Sequence, residues 1–189
     1  MTEPGQALDL REVLDALASA QTDAAGGSAA ALVGALAAAV TLKVARLSAQ
    51  EGYAAQASLL RVRLAELAPL DAEAFADARR ALSRVEGGGD DRRDYQLGVL
   101  LNRASAVPLE IAEACADVSA LAGELARTGA PDAQPDAAVA AVLAAAAAHA
   151  AVRLVEINLT VSDDDPRAAR ARAAARTASE AAQFVPGRS

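Results

Sequence analysis

Two glycines and a serine, Gly26, Gly27 and Ser28, stand directly before a long apolar run. If that run is a helix, its first backbone N–H groups lack helical partners and can bind a carboxylate, a phosphate or a carbonyl oxygen. The glycine spacing differs from that of dinucleotide-binding loops, and the lysine of a phosphate-binding loop is absent. The segment therefore predicts either a backbone binding site or an ordinary turn in which Ser28 is the helix N-cap.

Two carboxylates occupy positions from which they could move protons. Asp71 follows Pro69 in a predicted helix, and Asp136 precedes an alanine-rich segment. A carboxylate withdrawn from water can transfer a proton or stabilise a cation. Carboxylates are more often solvated, and an aspartate at a helix start is often only a cap. The residues by themselves leave both interpretations open for each aspartate.

His149 and Cys115 are the single histidine and the single cysteine. His149 has no ligating residue three or four positions away along its predicted helix, so we expect no metal site. Cys115 cannot form an internal disulfide, and no histidine neighbour is evident that would activate it as a nucleophile. We interpret it as a small buried residue in a protein of a reducing compartment.

The elements that must position these residues are helices. Alanine accounts for 55 of the 189 residues, and apolar residues recur at helical spacing along most of the chain. We predict one all-α domain over 1–189, a bundle of long and partly kinked helices, because Pro69 and Pro108 lie inside helical patterns. The predicted helices cover 8–20, 28–48, 53–82 (one helix or two in series), 93–127, 136–159 and a last segment from about 163, with loops near 22–27, 86–94 and 128–135.

Composition and charge exclude several classes of function. A net charge of −7 and only four aromatic residues disfavour nucleic-acid binding. The apolar stretches 29–42 and 137–152 are shorter than the roughly 18 residues of a membrane span, so we expect buried helices and no membrane association. No signal-peptide pattern opens the chain, which favours a cytoplasmic protein. Because alanine buries little surface, we expect helix packing between copies of the chain to supplement the core. The smallest such assembly is a homodimer.

Five ordered blocks of sequence resemble the cyclodeaminase/cyclohydrolase family, which includes the cyclodeaminase part of formiminotransferase-cyclodeaminase and bacterial methenyltetrahydrofolate cyclohydrolases. The blocks extend the resemblance from about Leu10 to about Phe184. They are GGSAAALVGALAAAV from Gly26, DAEAF from Asp71, VPLEIAEAC from Val107, a Gly-containing loop followed by PDAAVAA from Pro135, and INL from Ile157.

The resemblance implies a dimerising helical subunit that binds a tetrahydrofolate derivative in a cleft. The substrate would be 5,10-methenyltetrahydrofolate, which is hydrolysed, or 5-formiminotetrahydrofolate, which releases ammonia, and neither reaction needs a metal or a redox cofactor. On this basis Gly26, Gly27 and Ser28 would hold the ligand, and Asp71 and Asp136 would transfer protons or stabilise the cation. Asn158 would hydrogen-bond the pterin or brace its helix.

Departures from the family pattern keep other functions open. Ala24 and Ala25 replace the proline and first glycine of the family's turn, Ala130 and Leu154 replace asparagines, and Lys43 stands at a usually apolar position. These changes would suit a family member with a degenerate site that acts as a small-molecule-binding or helical interaction protein. A purely structural assembly subunit is the third alternative.

Overall fold

The computed structural model describes residues 10–21, 23, 26–83, 91–159 and 165–183, without the side chains of 82–83, 91–98 and 101–102. Within these ranges the chain is helical and contains no strand, which confirms the all-α prediction. The helices are α1 (Leu10–Ala18), α2 (Gly26–Leu47), α3 (Glu51–Ser83), α4 (Asp91–Thr128), α5 (Gln134–Asn158) and α6 (Pro166–Ala182), with a short 3-10 helix at Pro131–Ala133.

Helices α2 to α6 form the bundle. Helix α2 packs between α3 and α5, and α4 lies against α2, α3, α5 and α6. Helices α2 and α5 are antiparallel, since Lys43 pairs with Asp136 near one end and Gly26 approaches Leu154 near the other. Helix α1 buries none of its residues. The bundle thus has two ends, and the candidate site residues are divided between them.

Small residues let the helices approach closely, as the alanine content predicts. A Cβ atom added at Gly34 of α2 would lie 2.5 Å from the sulfur of Cys115 on α4 and 3.2 Å from Leu64 of α3. Cys115 is buried, as expected. The hydroxyl of Ser119 lies within hydrogen-bond distance of the backbone oxygens of Ala141 and Ala178, which ties α4 to α5 and α6. Close helix contact therefore replaces the area that larger side chains would bury.

Both internal prolines lie in continuous helices. Pro69 is inside α3 and Pro108 is inside α4, so the predicted third segment is one helix rather than two in series. Proline has no N–H, and the carbonyl four residues earlier loses its usual donor. The affected carbonyls are those of Ala65, which is exposed, and Ala104, which is buried. The buried carbonyl of Ala104 therefore needs another hydrogen-bond donor.

Two predicted helix caps are wrong. Helix α2 begins at Gly26, so Ser28 lies in its first turn, where an acceptor from α3 replaces a local cap. Helix α5 begins at Gln134, because the 3-10 helix and Pro135 lead the chain straight into it, and Asp136 lies in its first turn. Helix α6 begins at Pro166, close to the predicted start near 163, and Asp165 is its N-cap, accepting from the backbone N–H of Arg167 at 2.9 Å.

The predicted loops are replaced in part by helix. The 3-10 helix and α5 occupy most of 128–135, and α4 already begins at Asp91, inside the predicted loop at 86–94. The prediction for 22–27 is corrected where α2 begins at Gly26. Residues 22, 24–25 and 84–90 lie outside the described part of the chain.

Helix α2 and the segment 131–158 are long and apolar enough, by composition alone, to cross a membrane. The bundle buries 56% and 50% of their most apolar stretches, so these residues build much of the core. The antiparallel register that pairs Lys43 with Asp136 also places Leu36 and Leu143 at a similar level along the two helices, and both are exposed. The two central helices therefore combine a buried side with an apolar outer face.

Candidate functional site

A pocket of about 100 Å³ opens at the end of the bundle where α2 begins. Four helices contribute to it, which is why residues far apart in the sequence meet there. Its lining residues are Gly26, Gly27, Asp71, Phe75, Ala104, Leu154, Ile157 and Asn158. Four of the six predicted site residues are in this list. Ser28, the next residue of α2, is not in this list but hydrogen-bonds Asp71.

Asp71 is the ionisable group of the pocket, and its side chain lies directly on Gly27. A Cβ atom added at Gly27 would stand 2.2 Å from Oδ1 of Asp71, so only glycine leaves room for the carboxyl group there. Asp71 is 8% exposed. A carboxyl group so far withdrawn from water can act on a ligand without competition from solvent.

Ser28 links Asp71 to the start of α2. Its backbone N–H and its hydroxyl hydrogen-bond the Asp71 carboxyl group, and the hydroxyl also lies 2.9 Å from the backbone oxygen of Ala68. Burial raises the pKa of Asp71, and the hydrogen bonds with Ser28 lower it by less. Because the hydroxyl has one proton, it can donate to Asp71 when that group is ionised and to Ala68 when it is protonated.

Asn158 enters the pocket from the last turn of α5. Its Nδ2 donates to the backbone oxygen of Ala104 at 2.6 Å. That oxygen is the acceptor that Pro108 deprives of a helical donor. Asn158 therefore braces α4, which is one of its two predicted roles. It also lines the pocket.

Asp136 lies away from the other predicted site residues. Its Oδ2 is 2.9 Å from Nζ of Lys43, and both side chains are at least half exposed. Lys43 is sixteen residues beyond Gly27 on α2, which corresponds to about 24 Å along the helix. Within one chain the two candidate carboxylates thus occupy opposite ends of the bundle. Lys43 thus has a carboxylate partner at a position where both side chains reach water.

The apolar wall of the pocket was not predicted. Phe75, Leu154 and Ile157 line it, and Phe75 and Ile157 are 45% and 62% exposed. A signal existed, because Leu154 is four residues before Asn158 and Phe75 four after Asp71, which places each pair on one helix face. Exposed apolar side chains beside a buried carboxyl group are typical of a surface that receives a ligand or another subunit.

His149 and Cys115 take no part in this pocket. Nε2 of His149 is 2.7 Å from the hydroxyl of Ser179 on α6, and Cys115 lies in the core, where burial raises its pKa to about 12. A thiol with that pKa is a poor nucleophile. Among the residues that the structure describes, no three His, Cys, Asp or Glu side chains gather as metal ligands would.

The sequence model of the formiminotransferase-cyclodeaminase family matches residues 9–177. The chain belongs to this family. Its fold is similar to the crystal structure of formiminotetrahydrofolate cyclodeaminase from Thermotoga maritima, with a TM-score of 0.76 and 22% sequence identity over 93% of this chain and 96% of that one. At this identity the likeness shows a shared fold. No curated protein sequence matches the chain.

Proposed function

We propose that this member of the formiminotransferase-cyclodeaminase family is an enzyme of folate one-carbon chemistry. Its substrate would be 5-formiminotetrahydrofolate, from which it releases ammonia, or 5,10-methenyltetrahydrofolate, which it hydrolyses. The observation that carries the proposal is the buried Asp71, held against Gly27 and Ser28 in a pocket that Asn158 also lines.

Asp71 would be the proton-transfer group of either reaction. In ammonia release, N10 attacks the formimino carbon, Asp71 takes the proton of N10 and passes it to the amino group, and ammonia leaves with the electrons of the C–N bond. In hydrolysis, water attacks the methenyl carbon, one water proton reaches N5 as the C–N5 bond breaks, and the other is released. A carboxyl group whose pKa is raised by burial is suited to both accepting and donating a proton.

The start of α2 would hold the ligand beside Asp71. The first N–H groups of a helix have no helical partners, and Asp71 engages that of Ser28. In the proposal, the N–H groups of Gly26 and Gly27 bind a ligand oxygen. Phe75 and Ile157 would contact the apolar part of the pterin. Both reactions leave every oxidation state unchanged, so the proposed mechanism needs no redox cofactor, and it assigns no step to a metal.

A pocket of about 100 Å³ is smaller than the roughly 300 Å³ at which ligand sites usually begin. One chain thus encloses only part of a folate, and we propose that a second copy supplies the remaining wall. The outer face of α2 and α5, with Leu36, Val139 and Leu143 exposed, would form the homodimer interface. Sedimentation should show a wild-type dimer and a Leu143→Glu monomer with unchanged helix content. A monomeric wild type would remove this proposal.

The activity test follows loss of methenyl absorbance and, separately, release of ammonia from 5-formiminotetrahydrofolate. We expect Asp71→Asn to lower kcat by about 10²- to 10⁴-fold, the contribution of a proton-transfer group. Glu66→Gln, an exposed change on the same helix outside the pocket, should leave kcat unchanged. Equal activities of wild type and Asp71→Asn would contradict the proposal. We also expect the enzyme in the cytoplasm, where its free thiol stays reduced.

The second candidate function is a binding protein that has lost catalysis. It is favoured by Leu154, because an apolar side chain lines the pocket where the family commonly has an asparagine. Saturable binding of 5,10-methenyltetrahydrofolate without turnover would select this function, and turnover that depends on Asp71 would reject it.

A further inference from the structure

Helix α1 has an apolar face that the bundle leaves uncovered. Leu10, Val13, Leu14 and Leu17 recur at spacings of three and four residues, which places them along one side of the helix. The helix buries none of its residues, and Leu10 and Leu14 are each more than half exposed. A helix of nine residues is unstable in water by itself, so this face needs an apolar surface to pack on.

The mouth of the pocket is an apolar surface that also lacks a cover. Phe75 of α3 and Ile157 of α5 line the pocket, and both remain exposed. The enclosed volume of about 100 Å³ leaves most of a folate-sized ligand outside the pocket. A ligand seated there would extend this apolar surface toward solvent.

The chain keeps α1 within reach of this mouth. Residues 19–25 join α1 to Gly26, which itself lines the pocket, and a segment of this length spans at most about 25 Å. Within it, the carboxylate of Asp23 pairs with the guanidinium of Arg79 on α3 at 2.5 Å. Arg79 is four residues beyond Phe75, one helical turn away on the same side of α3. The ion pair therefore holds the connection to α1 beside Phe75.

We propose that α1 closes over the pocket when a ligand is bound, with Leu14 packing on the parts of Phe75 and Ile157 that the ligand leaves exposed. The inference rests on the proposed function and adds a wall to the same site. Helix α1 reaches the pocket from the side of α3, whereas the proposed homodimer interface is on α2 and α5. The closed helix shields the reacting carbon from bulk water, and its polar face with Glu12 stays in solvent.

The first test measures amide hydrogen exchange of α1 with and without 5-formyltetrahydrofolate, an analogue that carries its one-carbon group on N5 as a formyl. We expect saturating ligand to slow the exchange of residues 10–18 at least about tenfold, because a docked helix opens less often than a free one. Unchanged exchange in α1 while the ligand is bound would overturn the closure.

The second test measures the affinity for the same ligand in two variants of α1. Leu14→Glu places a charge on the apolar face and should weaken binding about tenfold, since the closed state loses one buried leucine. Glu12→Gln, on the opposite side of the helix, should leave the affinity unchanged. Because α1 buries none of its residues, both variants should have the urea midpoint of the wild type. Equal affinities of Leu14→Glu and wild type would contradict the closure.

A cysteine pair shows which pocket α1 covers. In Leu14→Cys/Ile157→Cys, mild oxidation with ligand present should form a disulfide within one chain, which runs as a single chain on a denaturing gel without reductant. Glu12→Cys/Ile157→Cys is the matched control and should form this disulfide more slowly. The native Cys115 is buried and does not compete. A disulfide that joins two chains would place α1 on the pocket of a second copy and overturn closure within the chain.

The outcomes separate the inference from the function on which it rests. Failure of the wild type to bind 5-formyltetrahydrofolate would overturn the folate proposal and the closure together. Binding that neither slows exchange in α1 nor depends on Leu14 would overturn the closure alone and leave the folate proposal intact. Slower exchange in α1, weaker binding by Leu14→Glu only, and a disulfide within one chain are the results we expect.

Discussion

Each end of the bundle carries one of the two candidate aspartates, and the two side chains differ in burial and in their partners. At the pocket end, Asp71 is 8% exposed and receives hydrogen bonds from Ser28. At the other end, Asp136 is half exposed and forms an ion pair with Lys43. Burial raises the pKa of Asp71, which gives that carboxyl group chemistry that an exposed ion pair lacks.

The surroundings of a carboxylate, more than its place in a sequence motif, decide whether it can take part in proton transfer. Asp71 reaches the backbone N–H and hydroxyl of Ser28 on another helix because Gly27 has no side chain in the way. Asp136 lies in the first turn of its own helix, where a negative charge is favourable and water is available.

Gly27→Ala should give the largest effect. The new Cβ atom would lie 2.2 Å from Asp71 Oδ1, so the carboxyl group or α2 must move. We expect a loss of about 1–3 kcal/mol in the free energy of unfolding, typical of overpacking, together with loss of activity. Urea denaturation and the ammonia assay measure the two effects.

Gly52→Ala is the control for that substitution. Nothing lies within 4 Å of a Cβ atom at this position, and the residue is exposed in α3. Alanine should stabilise the helix there by about 0.5–1 kcal/mol. Similar destabilisation by both substitutions would mean that the Gly27 contact with Asp71 is not the cause.

The pH dependence of stability should distinguish the buried carboxyl group. Because its pKa is raised in the folded state, Asp71 binds its proton more tightly there than in the unfolded chain. Its contribution is present below its ordinary pKa of 3.8 and is lost as the pH rises through the folded value. The unfolding free energy of wild type minus that of Asp71→Asn should therefore fall as the pH rises above 3.8 and through the raised folded value. A difference that rises with pH would contradict the burial argument.

Asp136→Asn should have the smallest effect on the free energy of unfolding. Exposed ion pairs contribute about 0.2–1 kcal/mol, and salt screens them, so the loss should shrink further in 0.5 M salt. Lys43→Met should give a similarly small change. A drop in kcat of more than about tenfold in Asp136→Asn would break the contrast between the two ends. It would mean that dimerisation brings Asp136 of one subunit to the pocket of the other.

Much of the fold could be predicted because helix signals are local. The spacing of apolar residues predicted the helices, and the last helix, α6, begins close to its predicted start near 163. The caps at Ser28 and Asp136 were wrong, since a helix start also depends on distant acceptors and on the turn that precedes it. Ser28 shows this directly, because the acceptor for its N–H is a side chain of α3.

The family and the all-helical, closely packed fold can be predicted from the amino-acid sequence, because alanine content, apolar spacing and ordered motifs are carried by neighbouring residues. The burial of Asp71 and the orientation of Asn158 follow from helix packing in three dimensions. These properties depend on the contact of Gly27 with Asp71 and on the carbonyl that Pro108 leaves free. Both join residues more than forty positions apart, and the packing of the helices brings them together.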